Sequence, residues 1–519
     1  DPMSMNVQKS VSNMQVMRAI EAASIDDNIE GIYINLTGAG TASAALLEEM
    51  RGYIETFKGE GKFVIAYGET YSQGGYYLAS MADSIYLNPV GEMDWRGMAM
   101  PVVFYKGALD KLGIEPQVFR HGTFKSAVEP YILNRMSPEN RTQMETIANS
   151  IWGTMVEDIA EERNLSIDSL NMFATDLTAM MAEDALANRM VDGLKYEDEV
   201  EDILREMLEL DADEDIPMVT LGEYIAANPY TPTYSDNKIE VIYAEGQIVQ
   251  GTSEQGTLGS STLADQLAEA RLDEDVKAVV LRVNSPGGSA LASEVMWREM
   301  ELLRQQKPVI VSMGDYAASG GYYISAPADA IVADATTLTG SIGVFGLMFN
   351  AEKALNNKLG VTIDVAKTNP SADMGMPFRA VSSNERAKIM RSIEQVYSTF
   401  VNHVADGRNM TFDSVDAIGQ GRVWTGNDGN RIGLVDQIGG LQYAIAIAAD
   451  KAECLDDYMV RESMGEQTGL AALLSSLEAH ISDRAMRKEM GAMYDEYRSL
   501  RALMENEGVQ ALAAPIQFR

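Results

Sequence analysis

Cysteine is scarce in this chain and long apolar runs are absent, and each of these facts excludes a class of structure. The single cysteine, Cys454, excludes an intrachain disulfide and any cysteine-based metal cluster. No run of about 18 apolar residues occurs, so the given sequence contains no membrane span. It also opens without the pattern of a secretory signal peptide.

Positive charge is scarce as well. The chain has 41 Lys and Arg residues against 77 Asp and Glu residues, which gives a formal net charge of −36. Such acidity repels phosphate groups and argues against nucleic acid and anionic membrane surfaces as partners. A solubilising surface is the simplest explanation of the acidic excess. With 519 residues, 46% of them hydrophobic, the chain is long enough for two to four domains.

Four sequence blocks recur in the same order, about 245 residues further along the chain. A polar helix end runs into a buried strand in IDDNIEGIYI and LDEDVKAVVL, which begin at residues 25 and 272. The other pairs are YSQGGYY with AASGGYY (71 and 317), SPENR with SSNER (137 and 382), and VD with VD (191 and 435). This order predicts two homologous α/β units.

The repeat sets the expected domain boundaries. A polar, proline-bearing linker at 228–237 separates an N-terminal unit, 1–236, from a C-terminal unit, 237–455. Apolar residues at helical spacing over 470–504 predict a helical tail in 456–519. The second unit opens with an alternating strand at 238–248, which the first unit lacks ahead of Asn6. We therefore expect that strand, and any membrane anchor, to lie upstream of Asp1.

Two glycine-rich turns in the second unit are suited to acyl chemistry. Ser319 lies between an apolar strand and a small-residue helix, where Ala and Gly neighbours leave room for a substrate carbonyl. The turn NSPGGS at 284–289 also follows a strand and precedes a helix, and its glycines expose backbone N–H groups. These features predict a nucleophile beside an oxyanion hole, although each turn alone is equally consistent with an ordinary strand-to-helix turn.

A nucleophilic serine needs a base, and the residues themselves leave its identity open. None of the three histidines, His121, His403 and His480, is marked out by its surroundings. Lys125 lies among apolar and small neighbours, where burial would make its amine neutral. A surface position is the usual alternative for any lysine.

Four motifs together resemble a known family: NSPGGS at 284–289, AASGGY at 317–322, LTGSIG at 338–343 and GTFKSAVEP at 122–130. They resemble bacterial signal peptide peptidase A, also called protease IV, in its long, tandem-duplicated form. The resemblance covers the chain to about residue 450. It implies two tandem crotonase-like (Clp-protease-like) α/β units with βα repeats, followed by the helical tail.

The resemblance also assigns roles to single residues. Ser319 matches the nucleophile and Lys125 matches the general base of a Ser/Lys dyad, while Ser341 matches a serine that orients the lysine. Gly287 and Gly320 match positions whose N–H groups form the oxyanion hole. The implied enzyme is a serine endopeptidase that degrades released signal peptides and other short apolar peptides. It uses no cofactor or metal.

The same resemblance implies a homotetramer that is anchored in the bacterial inner membrane and faces the periplasm. Within the repeat, Gln73 stands where the second unit has Ser319, and Ser371 stands where the first has Lys125. Each unit thus retains one member of the dyad, and we expect both members to come from the same chain. Lys367, the nearest lysine in the second unit, stands opposite His121. Two alternatives stay open: an acyl-CoA hydratase or thioesterase of the crotonase fold, and a non-enzymatic oligomeric scaffold.

Overall fold

The computed structural model describes residues 12–38, 42–230, 234–463 and 509–513. These residues form two compact units. The first combines the described parts of Asp1–Ala99 and Asn149–Thr233, and the second combines those of Met100–Ala148 and Tyr234–Arg519. Within the described ranges, no helix combines the length and apolar character that crossing a membrane would require.

The first unit contains one four-stranded parallel sheet, ordered β1-β2-β3-β5, with helices between its strands. Its strands are β1 (Gly31–Asn35), β2 (Phe63–Tyr71), β3 (Ser84–Met93) and β5 (Gly193–Leu194). Its helices are α1 (Asn13–Ile25), α2 (Ala44–Gly59), α3 (Gln73–Ala79), α7 (Ile167–Asp176), α8 (Ala182–Ala187), α9 (Glu197–Met207) and α10 (Leu221–Ala227). Helix α6 (Pro138–Arg163) contains the boundary between residues 148 and 149.

The second unit contains more elements and two sheets. Its helices are α4 (Lys106–Leu112), α5 (Glu129–Ile132), α11 (Ser260–Leu272), α12 (Ala290–Arg304), α13 (Gly320–Ser325), α14 (Ser383–Arg408), α15 (Phe412–Ile418), α16 (Gly426–Arg431) and α17 (Leu441–Lys451). The described residues of this unit also form a 3-10 turn (Ser126–Val128) and a π-helical turn (Ala354–Leu359).

The strands of the second unit are β4 (Glu115–His121), β6 (Lys238–Glu245), β7 (Gln247–Val249), β8 (Thr257–Gly259), β9 (Val276–Ser285), β10 (Gly287–Ser289), β11 (Val309–Ala318), β12 (Ala330–Ala333), β13 (Leu338–Gly340), β14 (Val344–Asn350), β15 (Val423–Thr425), β16 (Gln437–Ile438), β17 (Met459–Ser463) and β18 (Gln510–Leu512). The larger sheet is ordered β15-β13-β11-β9-β6-β17, with β12 and β16 attached beside β11. The second sheet is ordered β4-β14-β18-β10-β7-β8.

The main apolar core of the second unit is built around the central strands of its larger sheet. Strands β6, β9 and β11 pair in parallel, and their side chains are buried on both faces. Parallel strands covered by helices on both faces read as continuous apolar runs, as β11 does with Val309, Ile310 and Val311. One apolar core cluster contains residues from these strands together with residues of α11, α12 and α14.

The order of elements agrees with the predicted duplication. The series α1-β1-α2-β2-α3-β3 in the first unit recurs in the second as α11-β9-α12-β11-α13-β12, with the short strand β10 added between β9 and α12. Both predicted helix starts are present: α6 begins at Pro138, and α14 begins after Ser382, whose hydroxyl accepts from the Glu385 N–H. The described part of the chain is thus α/β and built from βα repeats.

Two segments differ from the organisation that the sequence predicts. Residues 100–148 precede the expected boundary at 236 but pack with the second unit, because β4 pairs antiparallel with β14 over seven residues from Glu115 to His121. In the predicted tail, 456–519, the helical stretch at 470–504 lies outside the described residues. The described residues that flank it form strands instead: β17 pairs with β6, and β18 pairs with β10 and β14.

Candidate active site

The candidate site lies where two neighbouring parallel strands of the second unit end. Strand β9 leads into the NSPGG turn and β10, and strand β11 leads into Ser319 and α13. Because β9 and β11 run parallel, their carboxyl ends meet at one edge of the sheet. The sheet therefore brings together the two glycine-rich turns that the sequence predicts to be functional.

Ser319 occupies a strained turn. Its backbone has φ 57° and ψ −112°, a combination that a residue with a Cβ seldom adopts. The Ser319 N–H donates to the Gly340 carbonyl at 2.8 Å, and the Tyr323 N–H donates to the Ser319 carbonyl at 2.8 Å. These bonds hold the strained residue between β13 and the first turn of α13, so its hydroxyl is fixed at the end of the strand.

Lys125 directs its amine at that hydroxyl. Lys125 Nζ lies 2.8 Å from Ser319 Oγ, 3.0 Å from Ser341 Oγ and 3.2 Å from the Ser341 carbonyl oxygen. The side chain is only 1% exposed. Burial, with no carboxylate among these partners, holds the pKa of Lys125 well below its ordinary range, so the neutral amine is favoured.

Three partners suit a neutral amine that must accept a proton. A neutral amine has two hydrogens and one lone pair. Ser341 offers two acceptors, its hydroxyl and its carbonyl oxygen, for the two hydrogens. The lone pair is then left facing the Ser319 hydroxyl, which is the geometry that a general base requires.

Close contacts between loops hold Lys125 in place. The Phe124 N–H donates to the Gln420 carbonyl at 2.9 Å, and Ser341 Oγ donates to the Gly421 carbonyl at 3.2 Å. A Cβ placed on Gly421, where φ is +81°, would lie 2.6 Å from Lys125 Cβ. Sequence reasoning missed the loop at 420–422, because nothing in its local sequence indicates that a lysine about 300 residues earlier packs against it.

Gly287 and Gly320 are both buried and lie next to each other in the site. A Cβ placed on Gly287, where φ is +94°, would lie 2.5 Å from Gly320 N, so only glycine permits this approach. The Gly287 N–H donates to Ser285 Oγ at 3.1 Å, which means that this N–H is already in use. Gly288, one residue along the chain from the predicted position, is therefore a second candidate for an N–H donor of the oxyanion hole.

The matching turn of the first unit has a different structure. Ser72 caps α3 with an ordinary φ of −71°, and the next residue is Gln73 rather than a strained serine. The Gln73 side chain bonds the backbone of its own unit: it accepts from the Gly97 N–H at 2.7 Å and donates to the Gly97 carbonyl at 3.1 Å. Gln73 thus stabilises a loop of the first unit, whereas Ser319, at the matching position of the second unit, presents a hydroxyl.

The two described histidines, His121 and His403, contact residues other than Ser319. The His121 ring stacks on Tyr397, and His403 Nε2 lies 3.0 Å from a Glu294 carboxylate oxygen while its ring stacks on Trp297. His480 lies outside the described residues. Lys367 is ion-paired with Asp373 at 2.9 Å, and Ser371 is exposed, so neither resembles Lys125 in its surroundings.

Comparison with known proteins is consistent with this geometry. Peptidase family S49 matches residues 56–211 and 301–455. Protease 4 of Salmonella typhi is 39% identical over 92% of this chain and 78% of its own length, and protease 4 of Haemophilus influenzae is 37% identical over 87% and 74%. The chloroplastic serine protease SPPA of Arabidopsis thaliana is 32% identical over 100% of this chain and 76% of its own.

Among solved structures, a mutant of ClpP1 from Listeria monocytogenes aligns with 40% of this chain and 94% of its own at a TM-score of 0.27 and 13% identity. The two S49 regions fall one in each half of the chain, as the duplication predicts. Relatives of this similarity extend over most of the chain and are named as proteases. The chain therefore belongs to peptidase family S49, in its tandem form, and is a serine peptidase that acts on peptide substrates.

Proposed function

We propose that this peptidase is an endopeptidase with a Ser319–Lys125 dyad, and that it degrades released signal peptides and other short apolar peptides. The observation that carries the proposal is the 2.8 Å separation between Lys125 Nζ and Ser319 Oγ at a fully buried amine. The resemblance of the four sequence motifs to signal peptide peptidase A supports the substrate class.

The proposed reaction has two stages, acylation of Ser319 and hydrolysis of the acyl-enzyme, and Lys125 acts as the base in both. Ser319 Oγ attacks the substrate carbonyl carbon while Lys125 takes the hydroxyl proton and later gives it to the leaving amine. Water then hydrolyses the acyl-enzyme with Lys125 again as the base. Ser341 keeps the amine oriented, and the Gly320 N–H together with the amide of Gly287 or Gly288 stabilises the oxyanion.

The same proposal covers assembly and location. We place the enzyme at the inner membrane of a bacterium, on the periplasmic side, as a homotetramer, on the strength of its resemblance to signal peptide peptidase A. Neither an acyl-CoA enzyme nor a scaffold has a specific observation in its favour, and the peptidase relatives argue against both. Fractionation of cells that make the full-length protein, and native mass spectrometry of the purified enzyme, test location and subunit number.

Alanine substitutions test the dyad. Ser319→Ala and Lys125→Ala should each lower kcat/KM for a fluorogenic apolar peptide by at least about 10³-fold, because members of one catalytic unit fail together. Lys367→Ala is the matched control, since it removes a lysine of the second unit that lies in an ion pair. If Lys125→Ala kept near-wild-type turnover, another residue would have to be the base.

A further inference from the structure

A buried glutamine on α6 contacts both the segment that carries the proposed base and a strand that supports the proposed nucleophile. Gln143 is the sixth residue of α6 and is only 1% exposed. Its side-chain carbonyl accepts from the Val423 N–H at 2.8 Å, and its Nε2 donates to Ser126 Oγ at 3.4 Å. Both polar atoms of this side chain are therefore used between two segments that are distant in sequence.

The bond to Ser126 reaches residues 125–129, which we call the base segment. Ser126 follows Lys125 directly, is 5% exposed and begins the 3-10 turn that ends at Val128. Asn140, one turn earlier on α6 and also 1% exposed, donates through its Nδ2 to the carboxylate of Glu129 at 2.9 Å. Two buried amides on one face of α6 thus hold the chain that follows the base at both of its ends.

The bond to Val423 reaches the strands that hold the nucleophile. Val423 pairs with Gly340 in the antiparallel ladder of β13 and β15, and the Gly340 carbonyl accepts the Ser319 N–H at 2.8 Å. The carbonyl of Arg422, the residue before Val423, accepts the N–H of Ser341 at 2.7 Å. The position of β15 therefore affects both the nucleophile and the serine that orients the base.

The duplication distinguishes this contact from ordinary packing between helices. In the first unit, Trp152 Nε1 donates to the Asn171 side chain at 2.8 Å, and the matching residues of α14 and α15 also bond each other. A contact that both repeats retain has a structural explanation. By the offset of 245 between SPENR and SSNER, Gln143 matches Lys388, which is exposed on α14. The buried amide is thus present only in the repeat whose helix lies beside the base.

We propose that Gln143 is a positioning residue for the base: its amide holds the base segment against β15, and so keeps the Lys125 amine on the Ser319 hydroxyl. This inference rests on the proposed function, because it assumes the Ser319–Lys125 dyad. Glutamine is suited to the role, since one side chain supplies both a donor and an acceptor. A catalytic group that its supporting contacts leave about 1 Å out of place can lose about 100-fold in rate.

Gln143→Met tests the proposal, because methionine is similar in length but has no N–H donor and only a weak acceptor. We expect kcat for a fluorogenic apolar peptide to fall about 10- to 100-fold with KM little changed. The value of kcat is expressed per site that a fluorophosphonate has labelled at completion, which leaves unfolded chains out of the count. Gln395→Met is the matched control, because it makes the same change on the exposed side of α14 and should retain wild-type kinetics.

The pH–rate profile separates positioning from a loss of folded protein. In Gln143→Met the base segment is held less firmly, so water reaches the amine and relieves the desolvation that lowers the pKa of Lys125. The midpoint should therefore move to higher pH, towards the ordinary lysine value of about 10.4. The variant leaves the charged groups beside the segment unchanged: Arg120, which donates to the Lys125 carbonyl at 3.3 Å, its partner Glu129, and Arg422, which stacks on Phe124. A smaller folded fraction would lower the rate at every pH and leave the midpoint in place.

Ser126→Ala tests the same contact from its other end and leaves Gln143 in place. Loss of one neutral hydrogen bond should lower kcat about 2- to 10-fold and move the midpoint in the same direction. Combined with Gln143→Met, it should lower kcat no further, because both variants break one bond. Additive losses, or wild-type kcat and midpoint in Ser126→Ala, would overturn the link between Gln143 and the base, and this variant decides the question if Gln143→Met does not fold.

The remaining outcomes distinguish this inference from the proposed function. If Lys125→Ala is inactive while Gln143→Met retains the wild-type kcat and midpoint, the inference is wrong and the dyad stands. A lower kcat with an unchanged midpoint would assign Gln143 to the fold alone, which also overturns the inference. If Lys125→Ala retains near-wild-type turnover, the proposed dyad fails, and this inference fails with it.

Discussion

In the mechanism that we propose, the buried amine of Lys125 takes the place of the histidine of a Ser-His-Asp triad. A lysine exposed to water is protonated at neutral pH and cannot accept a proton. Within the second unit, desolvation lowers the pKa of Lys125 without a neighbouring carboxylate to restore its charge. The identity of the base could not be decided from the residues alone, because burial depends on loops that are distant in sequence.

Ser341→Ala tests how the amine is oriented. This variant removes one of the two Ser341 acceptors that engage Lys125, so the lone pair is no longer held toward Ser319. We expect kcat to fall about 10- to 100-fold, within the range of a general-base contribution, with KM little changed. The charged amine also loses an acceptor, so the midpoint of the pH–rate profile should move to lower pH. An increase in KM at constant kcat would instead indicate a role in peptide binding.

At the scale of elements, local patterns predicted most of the repeat but not the long-range pairing. The helix starts at Pro138 and Ser383 and the strand before Ser319 follow from capping residues and apolar runs. The pairing of β4 with β14 and the insertion of β18 beside β10 join segments more than 200 residues apart. Sequence periodicity predicts that strands form; it contains no information about distant partners.

Gly287→Ala tests the junction of the two glycine-rich turns. A methyl group at this position would lie 2.5 Å from Gly320 N, which blocks the region where the oxyanion must form. We expect kcat to fall about 10²- to 10³-fold, as for loss of an oxyanion donor. Gly61→Ala is the matched control, because Gly61 also has a positive φ, +82°, but its Cβ would have nothing within 4 Å. Equal losses of activity in both variants would trace the effect to backbone strain alone.

At the scale of the whole molecule, the sequence repeat that contains a residue is not always the compact unit in which that residue packs. Lys125 belongs to the first repeat by sequence, yet its segment, Met100–Ala148, packs within the second compact unit, where Ser319 also lies. The first unit retains the turn but has Gln73 at the position that matches Ser319. One chain therefore contains both members of the proposed dyad within one compact unit.

Mixed assemblies test whether the dyad belongs to one chain. Ser319→Ala chains and Lys125→Ala chains, unfolded and refolded together, should remain inactive toward a fluorogenic peptide, because no chain contains both residues. Wild-type chains refolded in the same way are the control for recovery of structure. Activity in the mixture that neither parent possesses would show that neighbouring subunits share the site.

The most direct test of the dyad is the rate at which a fluorophosphonate labels the enzyme as a function of pH, with the labelled residue identified by peptide mapping. The label should be on Ser319. Because the neutral amine is the active form and burial lowers its pKa, labelling should accelerate as pH rises and reach a plateau at a midpoint below the ordinary lysine value of about 10.4. This pH-dependent labelling should be lost in Lys125→Ala. Labelling of another serine, or an unchanged pH profile in Lys125→Ala, would contradict the Ser319–Lys125 mechanism.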